Sequence, residues 1–87
     1  MKNKILIKLI VPELEETFDV HIPVNEVIWK VRKLMVKSIS DLTSKSLKVN
    51  DDYLLINKQT SEIYGNNTII INTDIRNATE LILISKK

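Results

Sequence analysis

The sequence predicts an α+β fold, a mixed sheet of four to five strands with one helix packed across it. Three observations carry that expectation. Runs rich in Ile, Leu and Val recur at residues 4–11, 17–22, 53–56 and 81–84, the first two ended by Pro12 and Pro23 and the third followed by a turn at 58–61. One stretch beginning at Asn25 trades a period of two for a helical one. The chain of 87 residues, 44% hydrophobic and 28% charged, suffices for a single domain spanning 1–87 and one core.

Each element follows from its residues. Residues 4–11 form a strand ended by Pro12 and the acidic group Glu13, Glu15 and Glu16. The charged start at 1–4 followed by an apolar run has the outline of a signal peptide. Lys8 interrupts that run, Pro12 ends it and no small-residue cleavage site follows, so a strand is the better reading. In residues 17–22, Phe18, Val20 and Ile22 alternate with polar neighbours, as in a strand covered on one face. The two strands make an antiparallel hairpin that lacks the Asn-Gly signal of a tight turn.

Asn25 is a suitable helix N-cap, and Glu26 places a carboxylate in the first turn. At 100° per residue, Val27, Ile28, Val31, Leu34, Met35 and Leu42 share one side, with Ile39 near it, and the helix ends between Ile39 and Leu42. Residues 53–56 are a short strand, 58–61 a turn and 62–64 a second short strand. Gly65, Asn66 and Asn67 mark a turn, and Ile69, Ile70 and Ile71 plug the core from an irregular segment. Residues 81–84, apolar at every position, suit a central strand.

Composition excludes several functions. With no cysteine and one histidine, the chain lacks thiolate metal sites, cysteine nucleophiles and multi-histidine centres, so no metal, cofactor or catalytic residue is assigned. His21 is expected at the surface beside Asp19, Asp51 and Asp52 in an ordinary loop, and Asn66-Asn67-Thr68 as a turn despite its acceptor pattern for glycosylation. Thirteen Lys and Arg against eleven Asp and Glu give +2, too even a balance to name nucleic acid as the partner. No stretch has the roughly 18 apolar residues of a membrane span, and a small cysteine-free chain fits the cytoplasm.

A hairpin, one helix and a last strand returning to the middle is the β-grasp arrangement, and the chain resembles ubiquitin over nearly its whole length. The resemblance lies in Ile5 and Ile7, in Phe18, Val20 and Ile22, in Ile28, Val31 and Met35, in 53–56, and in Asp74, Ile75, Leu81 and Leu83. The hairpin between Ile56 and Ile63 is a few residues longer than in ubiquitin. The ending Ile84-Ser85-Lys86-Lys87 departs from the Gly-Gly tail that modifiers and sulfur carriers of this superfold use, which disfavours that role. Within the superfold the chain resembles the YukD and EsaB family, bacterial accessory proteins of Gram-positive type VII secretion. That resemblance implies a non-enzymatic protein with no small-molecule substrate. It would bind a cytoplasmic part of the secretion machine and assist assembly or regulation of export.

In the ubiquitin-like register Ile5, Ile7, Leu9 and Val11 face the helix, leaving Leu6, Lys8 and Ile10 outside together with Ile82 and Ile84. Leu6, Ile10, Ile82 and Ile84, joined by Leu54 or Leu55, form an apolar patch on the open sheet face, where partners dock on ubiquitin. The patch meets a partner protein, a second copy of the chain as a homodimer, or the chain's own loop 38–52. Trp29 projects away from the helix core side with Val36, flanked by Arg32 and Lys33. Those residues are a second interface, for protein, acidic membrane surface or nucleic-acid base, unless the tryptophan leans over and buries its rim. The basic helix residues otherwise make a solvated face.

Overall fold

The computed structural model describes residues 3–43 and 53–85. Among them are four strands and one long helix: β1 (Lys4–Val11), β2 (Glu16–Pro23), α1 (Ile28–Thr43), β3 (Tyr53–Asn57) and β4 (Glu80–Ser85). The sheet order is β2-β1-β4-β3. β1 pairs antiparallel with β2 and parallel with β4, and β3 pairs antiparallel with β4. The fold is therefore α+β with a mixed sheet, and β4 lies between two neighbours as its unbroken apolar run demands.

One sheet face packs against α1. Ile7, Leu9 and Val11 of β1, Val20 and Ile22 of β2, Leu55 of β3, and Leu81 and Leu83 of β4 alternate onto that face and are buried. The helix meets them with Ile28, Val31, Met35, Val36 and Ile39, and Ile70, Ile75 and Tyr64 close the core from the segment before β4. Each such side chain contributes roughly 1.5–3 kcal/mol by leaving water.

The β1–β2 connection is a 3-10 turn, Pro12–Leu14, followed by Glu15 in the left-handed region at φ 55°. Pro12 presets the first residue of that turn, and the Glu15 N–H returns to its carbonyl at 3.0 Å. This resolves how the hairpin closes without Asn-Gly.

The helix begins at Ile28, later than the Asn25 cap implies, and its opening amides find backbone acceptors instead of a capping side chain. The N–H of Ile28 donates to the Thr68 carbonyl at 2.9 Å and that of Trp29 to the Asn66 carbonyl at 3.2 Å. Val27 forms an isolated bridge with Ile69, and the Ile70 N–H donates to the Glu26 carbonyl at 3.0 Å. Residues 24–27 are thereby held as a turn and bend against 69–71, so Asn25 and Glu26 precede the helix without capping it. The helix runs on to Thr43, whose hydroxyl donates to the Ile39 carbonyl at 2.8 Å.

Three further expectations need correction. The buried helix arc is rotated from the one drawn through Leu34 and Leu42, which are 50% and 70% exposed, while Arg32 and Val36 are buried. Val27, an anchor of the mistaken phase, is not helical at all. Residues 62–64 form no strand, only the bridge between Ile56 and Ile63. Of the three isoleucines 69–71 only Ile70 is fully buried, because the 3-10 turn Ile70–Asn72 points Ile71 outward.

Candidate protein-docking face

The strand registers place the outward side chains in rows across the sheet. Asp19, Lys8 and Glu80 stand opposite one another on β2, β1 and β4, and Lys58 follows β3 with its backbone N–H on the Glu80 carbonyl at 3.0 Å. The row alternates in sign. Lys8 Nζ is 3.3 Å from Asp19 Oδ1, and Lys58 Nζ is 4.0 Å from Glu80 Oε2. All four side chains are about half exposed, so these pairs set charge pattern more than stability.

Beside this belt the next row is apolar. Ile10 of β1 stands opposite Ile82 of β4, and Ile82 opposite Ile56 of β3. One row further, Ile84 stands opposite Leu54. These five residues are half-buried on the sheet face away from α1, shielding one another without any covering element among the described residues. Cross-strand neighbours on one face lie close enough to form a continuous surface.

The sequence-predicted residues divide accordingly. Ile10, Ile82 and Ile84 come together as one patch, and Leu54 joins them, whereas Leu55 is buried in the core. Leu6 is 40% exposed but stands opposite His21 on the far side of the charged row, so it is not part of the patch. Lys8 belongs to the belt that borders it. Ile56 escaped the sequence reading, although its alternation with Leu55 inside an apolar strand is the signal that puts it beside Leu54. The rear part of the loop 38–52, including Asp51 and Asp52, lies outside the described residues, as do Lys86 and Lys87.

On the helix, Trp29 is 37% exposed, and the ammonium groups of Lys30 and Lys33 each lie 5.6 Å from its ring centroid. Arg32 and Val36 do not share its surface. They are 7% and 2% exposed, because the buried arc passes through them. Trp29 sits at the border of that arc, with Lys30 and Lys33 in cation–π contact with its ring. His21 is exposed, as expected.

No family model and no curated protein matches the sequence. Solved structures do match. A chain of a toluene 4-monooxygenase HD complex superposes with TM-score 0.76 at 6% identity, covering 94% of this chain and 98% of that one. A ubiquitin-like domain from Arabidopsis thaliana gives 0.65 at 13% identity over 98% and 80%. A protein designed on ubiquitin gives 0.68 at 14% identity over 100% and 94%. At such identities the likeness is one of fold, and that fold is the ubiquitin-like β-grasp. The chain thus has the architecture of a ubiquitin-like domain. Among its described residues, no helix is long and apolar enough to cross a membrane.

Proposed function

We propose that the protein is a non-enzymatic interaction domain that docks a partner protein on its open sheet face. The observation that supports this reading is the contiguous patch of Ile10, Leu54, Ile56, Ile82 and Ile84 beside an alternating charged belt. An apolar centre with a charged border is how interfaces combine burial with orientation. The resemblance to the YukD and EsaB proteins refines the proposal: the partner is a cytoplasmic component of a bacterial type VII secretion machine, and the domain acts in the cytoplasm on its assembly or regulation.

Affinity capture from lysate of a bacterium that encodes such a machine, with wild-type and Ile84→Asp baits, tests both levels. Secretion components retained by wild type and lost from a variant with a native circular dichroism spectrum is the expected result. Retention by both baits moves the site off the sheet face. A wild-type bait that retains nothing and elutes as a dimer makes the patch a self-association surface and removes the secretion reading.

A further inference from the structure

We propose that the solvent side of α1 is a second docking surface, suited to an acidic protein segment that presents an apolar side chain between carboxylates. It does not depend on the sheet-face reading. Trp29 and Leu34, 37% and 50% exposed, are large apolar groups that α1 leaves at its surface, as it does Leu42 nearer its end. With Lys30, Lys33 and Lys37 they line a shallow groove of about 450 Å³, closed at one end by Glu26. At 100° per residue these five helical side chains fill one continuous arc of roughly 140°.

The charge of this arc is unbalanced. Lys30 has Glu26 at 3.9 Å, but no carboxylate among the described residues lies within ion-pairing distance of Lys33 or Lys37. Three lysines against Glu26 give the groove the same excess of two positive charges that the whole chain carries.

The shape of the groove favours a protein segment over other anions. Trp29 and Leu34 stand among separate lysines, a spacing that one apolar side chain flanked by carboxylates matches residue for residue. The ammonium groups of Lys30 and Lys33 both lie 5.6 Å from the ring centroid of Trp29, so a nucleobase stacking there would have to displace cations that a carboxylate can bridge in place. A carboxylate bridging Lys30 and Lys33 would instead meet the positive ring edge, while Leu34 and the indole receive the apolar residue.

Trp29 is the only tryptophan, so its emission reads this surface directly. The probe is a synthetic Glu-Asp-Glu-Leu-Glu-Asp-Glu peptide. Its comparators are the same peptide with lysine for every acid, phosphatidylcholine vesicles containing phosphatidylserine, and a single-stranded oligonucleotide. The expected result is a saturable, salt-sensitive emission change with the acidic peptide, accompanied by amide NMR shifts confined to α1. The Lys33→Glu/Lys37→Glu double variant should lose at least about tenfold in affinity, and Ile84→Asp should bind as wild type does. Absence of any response at millimolar peptide, or equal affinity in the charge-reversed variant, overturns the proposal. A response to vesicles or oligonucleotide without one to the peptide also overturns it and assigns the surface to that ligand.

Discussion

The side-chain amide of Asn57 donates to the Tyr64 hydroxyl at 3.1 Å, joining the end of β3 to a segment that belongs to no strand. The hydroxyl in turn donates a hydrogen bond to Asp74 Oδ1 at 2.5 Å. On its other side, Asn57 Oδ1 accepts from the N–H groups of Gln59 at 2.8 Å and Thr60 at 3.2 Å, which shapes the turn between them. Asn57 and Tyr64 are 5% exposed, so this network is the polar seam of an otherwise apolar core.

Removing the hydroxyl with Tyr64→Phe leaves the buried amide of Asn57 without its partner, and such a group costs about 1–3 kcal/mol. Asn57→Ala also releases the turn and should destabilise more. Urea unfolding should rank the proteins wild type, Tyr64→Phe, Asn57→Ala, with slopes unchanged.

The Tyr64 phenol is pushed up to about 12, first by burial and next by its bond to Asp74, against an opposing pull from Asn57. Folding therefore favours the protonated phenol. Its contribution is complete below pH 10, where the unfolded phenol is protonated too, and is lost as pH rises through about 12. Between those limits wild-type stability should fall by roughly 1.4 kcal/mol per pH unit more steeply than that of Tyr64→Phe. Unfolding measured from pH 9 to about pH 12 checks the difference in slope.

Glu15 has φ 55° and Ala78 φ 70°, both in the region that glycine enters without strain. Glu15→Gly and Ala78→Gly should each be neutral or stabilising by up to about 1 kcal/mol. A drop in melting temperature in either variant would show that the side chain contributes more than the backbone strain costs.

Met35→Ala should cost about 2–5 kcal/mol and Val36→Ala about 1–3, whereas Leu34→Ala should stay within about 0.5 of wild type. The contrast between Leu34 and Val36 is the sharper of these, since the sequence reading had them exchanged. Chemical denaturation of the three variants decides which face of α1 is buried.

β2 was legible from its period of two, and β1, β3 and β4 as short runs rich in Ile, Leu and Val between turn residues. Register followed: placing Ile7 and Leu9 inward obliges Lys8 and Ile10 outward, and no slip by one residue keeps the core intact. The helix was legible in kind but not in phase. Val27, Leu34 and Leu42 continue its apolar side in one direction, Val36 in the other, and periodicity alone cannot choose between two such arcs. The choice is made by carbonyls some forty residues downstream, those of Asn66 and Thr68, which seize the amides of Trp29 and Ile28. The apolar patch on the sheet face was mostly legible, since Ile10, Ile82 and Ile84 needed only strand alternation. Its true border depends on which residue stands opposite which, and the charged row separating Leu6 from Ile10 exists only once four strands are aligned.

The parallel pairing of β1 with β4 also governs when the protein can exist at all. Lys8 and Glu80 meet as neighbours across the middle of the sheet, so its centre joins segments far apart along the chain. Without β4 the inner edge of β1 is unpaired and β3 has no partner in the sheet, so both present backbone groups to other chains. The sheet is completed only by closing a long loop between β1 and β4, a pairing that a truncated product lacking β4 cannot make.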